Sequence, residues 1–360
     1  MTSRRKLLQQ LAIFSTLSLS SCGWRLANVS SNSISSHPRD QLYVYSWTQY
    51  TDQQLLTTFT TQTGMKVIAD VYDSSDVMLA KLQAGGGASY SVIYPSDYMV
   101  QKMVAKKLLS PINHSRLLGL DNLFPQFHNP TYDPNNIYSI PFNWGTTGLL
   151  YNSEKLAKPP QDWEYLWQNK DILNKRMTLL NDVREVMGAT LRMLGYSYNS
   201  QNEKEIKQAY QKLQSLKPAI AAFDTDAWQN KILAGDLLIA MCYSADAMKI
   251  SQENPKFKYV IPRSGSSLWT DTIVIPISAP NSVGAYAWIN LLLQPEIAAE
   301  IVERLHISTP NRAAFDLLPK KLQEDTNLFP PDSIINKCER LTPVDEFEQV
   351  YDRYWTQLLS

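Results

Sequence analysis

From residue 41 onward, short apolar runs alternate with longer stretches whose apolar positions recur at helical spacing. LYVY is followed by DQQLLTTFTTQTG, KVIADVY by VMLAKLQAGGG, and YSVIY by DYMVQKMVAKKL. Runs of four to seven residues suit strands and the intervening stretches suit helices. The pattern therefore predicts the βαβ rhythm of an α/β fold, with mainly parallel sheets covered by helices on both faces. YSIPFNWGTTGLLYN, residues 138–152, reads as a long extended segment with Gly145 in its middle, a first crossing between two lobes. A second α/β set comes next, in MTLL, DVREVMGATLRMLG, EIKQAYQKLQSL, AIAAF, LLIAMC and KYVIP. After SLWTD the run TIVIPI starts another strand, AYAWINLLLQ has helical spacing, and DEFEQVYDRYWTQLL is an amphipathic helix. A body of this length is comfortable for two domains.

The first residues break this rhythm. MTSRRKLLQQLAIFSTLSLSSC has a basic start, an apolar stretch too short to span a bilayer, and small residues before Cys22. That is an export signal over residues 1–21 rather than a membrane helix. Leu19-Ser20-Ser21-Cys22 resembles a bacterial lipobox, which makes Cys22 the acylated first residue of the mature chain; Ser3-Arg4-Arg5 also resembles a twin-arginine start. GWRLANVSSNSISSHPRD, rich in Ser and Asn, reads as a flexible tether over residues 22–40. The mature 339 residues carry 31 basic and 34 acidic side chains, a balance that argues against nucleic acid as a partner.

With Cys22 assigned to lipid, Cys242 and Cys338 remain. A buried thiol is the favoured reading of Cys242 over a disulfide with Cys338. His37, His114, His128 and His306 are scattered, and no cysteine pair has metal-ligand spacing, so no metal and no cofactor are expected. Gly85–Gly87 lacks the Lys-Ser/Thr ending of a phosphate loop.

In open parallel sheets ligands sit beyond the carboxyl ends of the strands. The residues just beyond each strand are therefore informative: Ser46-Trp47-Thr48-Gln49-Tyr50, Pro95-Ser96-Asp97-Tyr98, Asn181-Asp182-Val183-Arg184-Glu185 and Tyr243-Ser244-Ala245-Asp246. Trp269-Thr270-Asp271 forms a fifth cluster just before a strand, where the chain recrosses between lobes. Together they give a cleft walled by Trp47, Tyr50, Tyr98, Tyr243 and Trp269 and charged by Asp182, Glu185, Asp246 and Asp271. Each also has a structural explanation. Asp182 and Glu185 have capping-box spacing, Asp246 and Ser96 could cap helices, and the aromatics could be interface core. Recurrence of the same two residue types at five strand ends favours the cleft.

Carboxylates among aromatic faces suit an organic polycation with methylene spacers. An ammonium leaving water needs a carboxylate partner, and aromatic faces cover methylenes and attract the cation by about 0.5–2 kcal/mol per contact.

The segments YVYSWTQYT, TGMKVIADVYDSSDVMLAKL, PSDYMVQKM, YDPNNIYSIPFNWGTTGLLYN, NDVREVMGATLRMLGYSYNS, LWTDTIVIP and STPNRAA resemble the spermidine/putrescine-binding proteins of bacterial ABC importers over nearly the whole mature chain. The resemblance implies a periplasmic binding protein fold of type II, with two lobes joined by two crossing strands that act as a hinge. The lobes are expected over 41–146 plus 271–317 and over 147–270 plus 318–360. It implies polyamine contacts from Trp47, Thr48, Tyr50, Ser96, Tyr98, Asp182, Glu185, Tyr243, Trp269 and Asp271. Gln49 stands where spermidine-preferring members can carry Glu, and Tyr243-Ser244-Ala245-Asp246 resembles the Trp-x-Gly-Asp pattern of putrescine-type members, which adds Gln49 and Asp246 to the site. Tyr243 replaces a usual Trp, Ile307 sits where an aromatic can occur, and a polar contact is expected near Glu339, Arg340 and Leu341. The implied protein is a monomeric, lipid-anchored periplasmic binder that delivers polyamine to a membrane permease, with no enzymatic activity. A sensor docking on a receptor, a cage for a quaternary ammonium and a periplasmic hydrolase are the other readings of the same cleft; no nucleophile constellation supports the last.

Overall fold

The computed structural model describes residues 40–48, 50–72 and 74–360; the leader with Cys22, the tether up to Arg39, and Gln49 lie outside the described residues. Among the described residues nine strands share one sheet. They are β1 (Gln41–Trp47), β2 (Lys66–Tyr72), β3 (Val92–Ile93), β4 (Ser139–Asn152), β5 (Met177–Leu179), β6 (Ile220–Phe223), β7 (Ile239–Tyr243), β8 (Phe257–Val260) and β9 (Leu268–Val274). The order is β2-β1-β3-β9-β4-β7-β5-β6, with β8 also paired to β4.

The predicted parallel rhythm holds at both ends of the sheet, where β1 pairs in parallel with β2 and β3, and β5 with β6 and β7. The middle is antiparallel, as β9 runs against β3 and β4, and β7 and β8 run against β4. Two returning strands inserted between the parallel sets make the sheet mixed rather than mainly parallel.

β4 is buried along its whole length. From Ser139 to Thr146 it pairs with β9, and from Thr147 to Asn152 with β7 and β8, so the strand changes partners between Thr146 and Thr147. The apolar interior divides in the same way. One cluster gathers Leu42, Phe59, Trp144, Trp288 and Ile301, and another gathers Leu149, Trp163, Leu191, Tyr198, Leu213 and Tyr351.

β9 begins at Leu268 rather than after Asp271, so Trp269-Thr270-Asp271 lies inside the strand and not before it. The polar residues there disguise a strand that is nevertheless fully buried, since it is paired through Asn143↔Asp271, Trp144↔Thr270 and Gly145↔Trp269. Cys242 is buried and Cys338 partly buried, both as free thiols. Among the described residues, no helix is long and apolar enough to cross a membrane, and no group of three His, Cys, Asp or Glu is placed to hold a metal ion.

Candidate functional site

A cleft of about 840 Å³, measured with its open mouth, lies where the strand ends meet β4 and β9. It is lined by Trp47, Thr48, Tyr50, Ser96, Tyr98, Asp182, Glu185, Tyr243, Asp246, Trp269 and Asp271, which brings together every sequence-predicted site residue except Gln49, which lies outside the described residues. Tyr72, Ser75, Thr225, Asp226, Ala245 and Leu341 complete the lining. Tyr72 and Asp226 are within reach of the strand-end rule, since one ends β2 and the other lies three residues past β6. Leu341 carries no such signal; where a polar contact is expected, the lining side chain is apolar.

Asp271 is the most elaborately held group. It is 5% exposed and accepts hydrogen bonds from the Tyr50 hydroxyl and, at 2.7 Å, from Ser96 Oγ. The loop after β3 is laid on β9 by two bonds to Pro95 O, from the Thr272 backbone N–H and Thr272 Oγ1, each 2.9 Å. This delivers Ser96 to the carboxylate. Ser96 therefore precedes the helix Asp97–Ala105 without capping it through its side chain. Asn143 Nδ2 donates to Tyr50 Oη at 3.0 Å, fixing the phenol that faces Asp271. Burial pushes the Asp271 pKa up to about 7 and outweighs the hydrogen bonds from Tyr50 and Ser96 that lower it. The nearby Trp47 indole N–H also opposes the rise, although it closes no hydrogen bond.

Asp182 and Glu185 sit at the start of the helix Val183–Met193, and half of the capping reading holds. Asp182 Oδ1 accepts from the backbone N–H of Arg184 at 2.9 Å and of Glu185 at 3.1 Å. Glu185 does not complete the box; it turns toward the crossing strands and accepts from Ser267 Oγ at 2.9 and 2.7 Å. At 2% exposure, with Asp182 beside it, its pKa is pushed up to about 8, burial being the larger cause. Asp182 is raised as well, again chiefly by burial. Asp246 stands in the first turn of the helix Ser244–Glu253 and is not its cap; Gln229 Nε2 donates to it at 3.2 Å.

The aromatic walls arise from register. Trp47 is paired with Tyr72 across β1 and β2, and their rings lie 4.6 Å apart. Tyr243 meets Trp269 edge to face at 5.9 Å. The Trp269 ring crosses directly over Gly145, where an added Cβ would come within 2.6 and 2.7 Å of it, so the absence of a side chain in β4 is what lets this wall lie flat. Part of the remaining frame comes from the C-terminal segment. Glu339 exchanges backbone hydrogen bonds with Ser266 and Leu268, each 2.9 Å, and Arg340 reaches buried Asp97 at 2.8 Å and Thr270 Oγ1 at 2.7 Å.

Among the described residues the lining thus contains five carboxylates, at Asp182, Glu185, Asp226, Asp246 and Asp271, and no Lys or Arg. Burial raises the carboxyl pKa values of Asp182, Glu185 and Asp271, so these groups tend to hold protons in the free cleft, and a cationic guest favours their charged forms.

The family described as bacterial extracellular solute-binding protein matches residues 54–330. A spermidine/putrescine-binding periplasmic protein of Salmonella typhimurium is 37% identical over 320 residues, covering 89% of this chain and 91% of the relative. The crystal structure of a spermidine/putrescine ABC transporter substrate-binding protein from Streptococcus pneumoniae superposes with a TM-score of 0.78 at 35% identity, covering 89% of this chain and 98% of the other. A lipoprotein of Treponema pallidum superposes with a TM-score of 0.78 at 28% identity, covering 88% and 99%. A periplasmic binding protein fold, a cleft at the strand ends, and similarity across nine-tenths of the chain converge: the protein belongs to the bacterial extracellular solute-binding proteins.

Proposed function

We propose that the protein captures a linear polyamine, putrescine or spermidine, outside the cytoplasm and delivers it to the permease of an ABC importer. The observation that carries this reading is the lining: among the described residues, five carboxylates and several aromatic faces, with no basic side chain. An ammonium entering the cleft pairs with a carboxylate already stripped of water, while the methylenes between ammonium groups lie on Trp47, Tyr98, Tyr243 and Trp269. The relatives from Salmonella and Streptococcus are both named for spermidine and putrescine, and they are binding and transport proteins rather than enzymes.

Closure is the proposed motion, between a lobe of 41–146 plus 271–317 and a lobe of 147–270 plus 318–360. The change of partners along β4 and the divided interior support it. The test is calorimetric titration of the purified protein with putrescine, spermidine, spermine and choline, with small-angle scattering of the same samples. Saturable binding of the polyamines, weak or no binding of choline, and compaction on binding are expected. Binding of choline alone would replace the polyamine by a monocation.

We read the protein as a monomer tethered to the membrane through lipid on Cys22, a residue outside the described part of the chain; the similarity to a Treponema lipoprotein supports the tether. Cys22→Ala should move the exported protein from the membrane to the soluble fraction, because each lost acyl methylene removes roughly 0.8 kcal/mol of anchoring. Fractionation that leaves the exported variant as firmly membrane-bound as the wild type would refute the anchor.

A further inference from the structure

The loop after β6 reaches the rim of the cleft, where Thr225 and Asp226 join the lining. It is fastened from several sides. Asp224 Oδ1 accepts from the backbone N–H of Asp226 at 3.0 Å and of Ala227 at 2.8 Å. Fully buried Trp228 donates its indole N–H to Thr225 O at 2.8 Å. Thr225 Oγ1 accepts at 3.3 Å from the backbone N–H of Asn181, the residue before Asp182. In the helix after the loop, Trp228–Ala234, Gln229 holds Asp246. The loop is thus tied to Asp182 through Asn181, and the helix after it to Asp246 through Gln229. The exposed carboxylate of Asp226 is carried between these ties. A loop held in this way has little freedom left to lose when a ligand binds.

The same cleft also contains a polar group that no described residue satisfies. Trp269 Nε1 is buried without a hydrogen-bond partner, in a residue 7% exposed. A buried N–H of this kind is costly until an ordered water supplies an acceptor, since the ammonium groups of a polyamine can only donate.

We infer that Asp226 is a specificity residue of the cleft, receiving the third ammonium of a triamine at a point that a diamine does not reach. The inference rests on the polyamine reading above. The two ammonium groups of a diamine are matched by Asp271 and by the Asp182–Glu185 pair. On this reading a longer chain extends past that pair to the exposed Asp226. An exposed carboxylate is screened by water and salt, so its effect is moderate, falls with ionic strength and appears as selectivity.

The experiment is calorimetric titration of wild type, Asp226→Asn and Glu303→Gln with putrescine and spermidine at low and high salt. Glu303 is an exposed carboxylate outside the cleft lining and controls for net charge. Asp226→Asn should lower spermidine affinity about two- to fivefold at low salt and less at high salt, with putrescine changed by less than about 1.5-fold. Glu303→Gln should change neither. An unchanged spermidine-to-putrescine ratio in Asp226→Asn, an equal loss in Glu303→Gln, or a wild type that binds putrescine and excludes spermidine would each overturn the role of Asp226 while leaving a polyamine cleft. A wild type that binds neither amine would overturn the polyamine reading, and this inference with it.

Discussion

Asp271→Asn should weaken polyamine binding by well over tenfold while leaving the melting temperature of the free protein unchanged or slightly higher. The carboxylate is 5% exposed and already accepts from Tyr50 and Ser96, so a bound ammonium meets a charge that water does not screen. Removing one member of such a pair costs about 2–5 kcal/mol, mostly through the partner left unmatched. Asparagine keeps the shape. Its carbonyl oxygen can still accept from Tyr50, and its amide can donate to the Ser96 oxygen once that hydroxyl rotates. Only the charge is lost, which separates binding from folding. Titration of the variant alongside a thermal scan decides the matter, and normal affinity would remove Asp271 from the ligand site.

The second large effect is on pH dependence. Asp271 and Glu185 have pKa values of about 7 and about 8 in the folded free protein, raised chiefly by burial. In the unfolded chain both return to about 4. Between these values the folded protein holds protons that the unfolded chain has lost. The stability contributed by these two groups is therefore fully present below about pH 4, falls as pH rises above it, and is fully lost once pH has passed about 7 for Asp271 and about 8 for Glu185. Binding of a polycation runs the other way, because it requires both carboxylates ionised and so expels their protons. Affinity should rise from pH 6 to pH 8.5, by up to about tenfold per pH unit for each group still protonated. Titrations in two buffers of different ionisation enthalpy measure the released protons directly. Flat affinity with no proton release would mean that the carboxylates are already charged in the free cleft.

Much of the cleft is legible in the sequence because a single physical rule, that side chains beyond strand ends converge, applies to strands with clear apolar runs. Trp47, Ser96, Asp182 and Tyr243 all come from it. Tyr72 ends β2 and Asp226 lies three residues past β6, and the same rule, applied to the aromatic-acidic runs Tyr72-Asp73 and Phe223-Asp224-Thr225-Asp226, reaches them too. Only the start of β9 escapes a sequence reading, which begins the strand at Thr272, because Trp269, Thr270 and Asp271 look like a polar loop and only pairing with β4 makes them strand. Glu185 has capping-box spacing, but a tertiary partner, Ser267, takes its side chain, and local spacing carries no information about a residue 82 positions away. The mixed direction of the sheet is illegible for the same reason: parallel or antiparallel pairing is decided by where a distant strand returns.

β9 is the last strand in the chain and yet occupies the middle of the sheet, between β3 and β4. A growing or translocating chain therefore presents two unfinished sheet edges until residue 274 arrives, and Tyr50 waits 221 positions for Asp271. Such long-range closure makes for slow folding and leaves strand edges open to wrong pairing in the interval. It also means that no fragment ending before β9 can assemble the Asp271 end of the cleft. Ligand capture at the Asp271 end thus depends on the strand that comes last in the chain.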